Sequence, residues 1–131
     1  MNKISFFILF TLLYCNCGSK DKHNINNDPQ VKNISAEMFT LGKEIYSKAC
    51  FQCHTYSLSG AANLTDFDYW NRVADKGIDT IFNHVKEGYN GNRGIMPPKG
   101  NCFECSDEEL RASILYIFQK IKIDKAGTKK L

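Results

Sequence analysis

Cys50-Phe51-Gln52-Cys53-His54 is the stretch from which the rest of this chain is read. Two thiols three positions apart can each add across a vinyl group of one haem, and the adjacent imidazole can then ligate the iron. One short segment thus supplies two covalent tethers and one axial ligand. Alone, it says only that a haem can be attached. The flanking sequence decides whether the motif sits on a scaffold that can use it.

Upstream, Ser35 is placed to cap a helix, with Glu37 in its first turn. Met38, Leu41, Ile45 and Ala49 recur at helical spacing and lead into Cys50. Met38 therefore reads as core. Gly42 lies inside this helix, where glycine costs about 1 kcal/mol relative to alanine, so another element is expected to approach closely there.

Downstream, Cys53 to Phe67 reads as a loop, Asp68 to Asp75 as a short helix ending at Gly77, and Tyr89 to Gly94 as a glycine-rich turn. Ile78, Ile81, Phe82 and Val85 follow the i, i+3, i+4, i+7 pattern, with Gly88 as the stop. Ser106-Asp107-Glu108-Glu109 is a capping box opening a last helix. Its buried stripe is Leu110, Ile114, Ile117, Phe118 and Ile121, and a basic tail from Lys125 to Leu131 is expected to fray. No strand pattern and no internal repeat is visible. The fold class is all-α, with three to five helices.

A low-spin haem needs a sixth ligand. Met96 is the candidate, in Gly94-Ile95-Met96-Pro97-Pro98-Lys99-Gly100. A thioether is soft, favours Fe(II) and raises the reduction potential relative to a second imidazole. Two prolines fix φ and remove two N–H groups, which predicts a stiff, extended backbone after Met96. A lone methionine is ordinarily core filler, but this one lies off any helical stripe. His84, on the polar side of its helix, is the rival ligand, and His23 a more remote one.

Cys102-Phe103-Glu104-Cys105 is followed by Ser106, not histidine, which argues against a second haem. Two readings remain open. The four cysteines Cys50, Cys53, Cys102 and Cys105 could hold zinc, although 48 residues separate the pairs, where roughly 15–20 are usual. Alternatively Cys102 and Cys105 close a short disulfide, the simpler reading in an exported chain.

Export is expected from the first residues. Met1-Asn2-Lys3 precedes an apolar run from Ile4 to Tyr14 that is shorter than the roughly 20 residues a membrane span needs. Cys15 and Cys17 each stand where an exported bacterial lipoprotein is cleaved and acylated. The chain divides as an export signal over 1–17, a flexible polar linker over 18–34, a folded domain over 35–123 and a basic tail over 124–131. The linker, rich in Asn, Asp and Lys, would have an r.m.s. span of roughly 20–25 Å. Residues 35–131 hold 13 basic and 12 acidic side chains, so there is no case for nucleic acid as a partner.

The chain resembles the class I c-type cytochromes, and within them the cytochrome c5 subgroup. The resemblance rests on Gly42-Lys43-Glu44-Ile45-Tyr46 leading into Cys50-x-x-Cys53-His54, on Met96-Pro97-Pro98-Lys99-Gly100, and on Cys102-x-x-Cys105-Ser106-Asp107 with the final helix. It implies an all-α fold around one covalent haem c, with Gly42 facing Tyr116 where the first and last helices cross. It also implies His54 and Met96 as axial ligands and a Cys102–Cys105 disulfide. Many members place a proline shortly after the histidine to present a carbonyl to the imidazole; here the stretch is Gly60-Ala61-Ala62-Asn63-Leu64, and Ala62 is the matching carbonyl. Trp70 and Arg72 match in type a tryptophan and arginine found near the haem edge, but stand one residue closer together.

The function implied is single-electron transfer by an iron cycling between Fe(II) and Fe(III), without enzymatic activity. Partners would be redox proteins acting as donor and acceptor, such as membrane respiratory complexes or a terminal oxidase, docking near Cys53, Met96 and Lys99. The location implied is the periplasm of a Gram-negative bacterium, as a membrane-anchored lipoprotein. The rival reading is a ligand-binding or peroxidase-like haem protein with a labile sixth site.

Overall fold

The computed structural model describes residues 24–128. The segment expected to be an export signal, the acylation candidates Cys15 and Cys17, His23, and residues 129–131 of the expected tail lie outside the described residues. The helices are α1 (Pro29–Lys32), α2 (Ala36–Ile45), α3 (Phe51–Tyr56), α4 (Phe67–Ala74), α5 (Ile78–Glu87) and α6 (Asp107–Thr128). A small antiparallel ribbon joins α5 to the Met96 loop. Its strands are β1 (Tyr89–Gly91) and β2 (Gly94–Met96), with Tyr89 opposite Met96 and Asn90 opposite Ile95.

Local chemistry explains the element boundaries. Ser35 accepts a hydrogen bond from the Met38 N–H and opens α2. At α6 the capping box closes in both directions: Ser106 N–H donates to the Glu109 carboxylate at 2.7 Å, and Glu109 N–H donates to Ser106 Oγ at 3.3 Å. Asp66 caps α4 by accepting from the Tyr69 N–H. Leu110, Ile114, Ile117, Phe118 and Ile121 are all buried, as their spacing predicts. Ala112, Leu115 and Tyr116 are buried too, because α2 packs on a second face of α6.

Gly42 makes that crossing possible. A Cβ built there would lie 2.2 Å from the Ala112 carbonyl oxygen and 2.8 Å from Tyr116 Cβ. Only a hydrogen fits between the two backbones. Around this point Tyr116 packs against the rings of Phe39 and Tyr46, with centroids 5.1 and 5.4 Å away.

Several expectations are corrected. The polar stretch read as linker through residue 34 is folded from Asn24 onward. Ile25 and Val31 are completely buried, Asp28 caps α1 through the Gln30 N–H, and Asn24 donates to Asp75. Two apolar side chains in a polar run suffice to dock it, because each buried Ile or Val is worth about 1.5–3 kcal/mol. At the other end α6 continues through Lys125 to Thr128 where a fraying tail was expected. Strands of three residues are too short to show an alternating pattern, so the ribbon is new. The loop expected from Cys53 begins at Ser57, since α2 runs through a π-type turn, Tyr46–Cys50, into α3 without leaving helical backbone.

Candidate haem-binding site

The continuous helical run from α2 to α3 carries Cys50, Cys53 and His54. On a helix, positions i, i+3 and i+4 share one face, so both sulfurs and the imidazole point the same way. The wide π-type turn, Tyr46–Cys50, ends on the first of them, a feature often found beside functional sites. Cys50 is buried, and its hydroxyl neighbour Ser113 on α6 does not offset that; burial pushes the thiol up to about 11. A position so unfavourable to a thiolate suits a thioether, which has no proton to lose.

His54 is oriented by its ring nitrogen. Nδ1 lies 2.9 Å from the Ala62 carbonyl oxygen. A carbonyl can only accept, so Nδ1 carries the proton and Nε2 keeps its lone pair for a metal. Burial holds the imidazole below its ordinary pKa, with the Ala62 hydrogen bond opposing, and ligation needs the neutral ring.

The absent proline is replaced by a network. Asn63 donates from its side-chain amide to the Thr55 carbonyl, Leu64 N–H donates to the His54 carbonyl at 3.3 Å, and Trp70 Nε1–H donates to the Asn63 carbonyl at 2.8 Å. The two residues that follow Ala62 are thereby held in place. The Trp70 ring also sits 5.6 Å from the His54 ring. Its indole N–H is already committed to Asn63, so Trp70 is a wall and a brace, not a donor toward a haem carboxylate. Arg72 lines the cleft at its exposed side.

Cys50, Cys53, His54 and Met96 line one cleft of about 480 Å³, within the usual range for a cofactor pocket. Its apolar walls include Ala61, Val73, Ile95 and Pro97. A smaller compartment of about 90 Å³ continues inward, again with Cys50, His54 and Met96, and adds Trp70, Ile114 and Phe118. The ribbon and the 58–60 loop meet backbone to backbone over the cleft. A Cβ on Gly60, at φ +79°, would overlap the Arg93 carbonyl at 1.7 Å, and one on Gly94 would lie 2.1 Å from the Ser59 carbonyl. Arg93 also reaches Asp66 at 2.6 Å and lies over the Tyr69 ring, tying the ribbon tip to the start of α4.

Met96, expected in an extended loop, is the last residue of β2. Pro97 is extended (φ −69°, ψ 155°), but Pro98 begins a tight turn, so stiffness persists while the extended path does not. The rival His84 lines only the smaller compartment, its ring stacked on Tyr89 at 4.3 Å. Lys76 lies over the same tyrosine ring at 4.8 Å.

Cys102 and Cys105 have their sulfurs at bonding distance, 1.97 Å, with Cα atoms 5.4 Å apart. No group of three or more His, Cys, Asp or Glu side chains arranged for metal binding occurs among the described residues. The four-cysteine zinc reading therefore has no geometry behind it. Sequence reasoning did not find Asn63 or the Gly60/Gly94 contact. Neither has a local signature: Asn63 works by joining the turn after the histidine to Thr55 and Trp70, and the glycines by a backbone contact between distant segments.

Comparison with known proteins agrees with this geometry. Residues 37–117 match the model of the family described as Cytochrome C oxidase, cbb3-type, subunit III. The chain is 40% identical over 73 residues to cytochrome c5 of Ectopseudomonas mendocina, covering 54% of this chain and 79% of that protein. Cytochrome c5 of Azotobacter vinelandii is 37% identical over 75 residues, 56% of this chain and 86% of the relative. Cytochrome c-555 of Chlorobaculum tepidum is 28% identical over 90 residues, 69% and 83% respectively. A cleft carrying two thiols, an oriented imidazole and apolar walls fits one covalent haem c. The chain belongs to this cytochrome c family: it is a class I, c5-like c-type cytochrome, a monohaem electron carrier with its haem c attached covalently.

Proposed function

We propose that this cytochrome carries electrons with His54 and Met96 as its two axial ligands, Cys50 and Cys53 as the thioether tethers, and Cys102–Cys105 oxidised in the mature protein. The observation that carries the reading is the His54 Nδ1 hydrogen bond to Ala62, which frees Nε2 toward the same cleft that Met96 lines. Bound there, the haem supplies a one-electron Fe(III)/Fe(II) couple. The chain holds His54 in one tautomer, keeps Met96 at the end of a paired strand, and excludes water with Trp70, Ile114 and Phe118. With both ligands and this bracing in place, the site would move little when the charge of a bound haem changes. His84 is the weaker sixth ligand because it reaches only the inner compartment.

Export and anchoring through Cys15 or Cys17 to a membrane of the periplasm are supported by the pattern of the first residues. No helix among the described residues is long and apolar enough to cross a membrane. In this reading the folded domain includes the residues from Asn24 onward. Redox partners, including membrane respiratory complexes, dock at the cleft mouth, where Ile95 is 70% exposed and Leu58 48% exposed.

The test is a redox titration of the holoprotein combined with carbon monoxide addition to the ferrous form. A one-electron Nernst slope and no spectral change with carbon monoxide are expected. Stoichiometric carbon monoxide binding would instead establish the labile sixth site of a ligand-binding or peroxidase-like protein.

A further inference from the structure

Lys99 was the residue of the Met96 loop best placed by sequence to meet a partner. The structure turns it inward. Its ammonium donates to the Cys105 carbonyl at 2.8 Å and to the Phe103 carbonyl at 3.2 Å. Both acceptors belong to the turn closed by Cys102 and Cys105. Lys99 itself has φ +55°, followed by Gly100 at +60° and Asn101 at +68°. Three successive left-handed residues, two of them with side chains, do not persist without something that over-determines them.

Two sets of contacts do so. The backbone closes on itself, with Gly100 N–H donating to the Pro97 carbonyl and Cys102 N–H to the Lys99 carbonyl. The Lys99 side chain then bridges forward to the cysteine turn. That turn is anchored on its far side, because Glu104 pairs with Lys48 at 2.8 Å, and Lys48 lies in the turn that leads into Cys50. The path thus runs from the haem-tether helix through Lys48 and Glu104 to the cysteine turn, and from there through Lys99 to Pro97 and Met96.

We propose that Lys99 is a positioning residue for the sixth ligand. Its ammonium fastens the Met96 segment to the cysteine turn, and so holds the thioether on the cleft side. This rests on Met96 being that ligand. Lys99 acts through the backbone of its own segment.

Ligand lability reads this role out directly. Imidazole binding to ferric iron must displace Met96, so its apparent affinity falls in proportion to how well Met96 is held. A hydrogen bond made by a charged group contributes enough for about a tenfold effect or more. In Lys99→Met holoprotein, imidazole affinity should rise about tenfold, whereas Lys99→Arg, which keeps charge and donors, should stay near wild type. Lys43→Met, at an exposed position of α2, should leave it unchanged. Equal imidazole affinity in wild type and Lys99→Met would overturn the proposal. So would a rise of the same size in Lys43→Met.

Should Lys99→Met not fold, amine acylation of wild-type holoprotein followed by mass spectrometry decides the question. Lys99 is expected to react much more slowly than Lys43, and equal rates overturn the proposal. A wild-type ferric spectrum without the near-infrared methionine–iron band would refute the Met96 assignment, an outcome separate from either of these.

Discussion

Gly42→Ala inserts one methyl group into the tightest backbone contact of the fold. The new carbon would meet the Ala112 oxygen at 2.2 Å, its carbonyl carbon at 2.7 Å and Tyr116 Cβ at 2.8 Å. Ordinary carbon contacts lie near 3.5–4.0 Å, so α2 and α6 must part by about 1 Å or more. None of the three atoms is the end of a flexible side chain. Overpacking of this kind costs about 1–3 kcal/mol, and a backbone clash belongs at the upper end. Replacing a helical glycine by alanine returns about 1 kcal/mol, which leaves a net loss of about 2 kcal/mol. For a domain of this size that is a fall of about 10 °C in thermal midpoint.

The assay is guanidinium and thermal unfolding of the ferric holoprotein. Gly127→Ala is the control, because a Cβ there meets nothing within 4 Å and should be neutral or slightly stabilising. Gly42→Ala unfolding at or above the wild-type midpoint would refute the helix-crossing argument.

Ile25→Ala should cost about 2 kcal/mol or more in the same unfolding assay, whereas a solvated linker would register no change. Trp70→Phe strands the Asn63 carbonyl and should lower stability by about 1–3 kcal/mol; the ferric spectrum should shift with it, since Asn63 adjoins the residue that orients His54. Glu109 is held below its ordinary carboxylate range by the Ser106 backbone N–H and then by its hydroxyl. A depressed folded value means that its contribution is complete above the unfolded value and is lost as pH falls through the folded one. Stability measured downward from pH 5 should therefore fall less steeply in Glu109→Gln than in wild type, and identical slopes would remove Glu109 from the acid limb.

The features legible in the sequence were those with short-range causes. The haem pentapeptide works through i, i+3, i+4 geometry, the Ser106 box through a three-residue hydrogen-bond exchange, and the α6 stripe through helical period. What the sequence hid depends on contacts between distant segments. Ile25 and Val31 look isolated in a polar run until α6 is packed beside them. The three-residue strands around Arg93 have too few positions to alternate. Lys99 reads as a surface cation because nothing local announces a left-handed turn that folds its side chain back on Phe103 and Cys105. Ala62 could be named as the imidazole's acceptor from the resemblance. The Thr55, Asn63 and Trp70 contacts that make a proline unnecessary there are visible only in three dimensions.

The most direct measurement is the near-infrared methionine–iron charge-transfer band of the ferric holoprotein, recorded for wild type, Met96→Ala and His84→Ala. The band should be present in wild type, retained in His84→Ala and absent in Met96→Ala. Its survival in Met96→Ala, or its absence from wild type, would contradict the ligand assignment on which the rest depends.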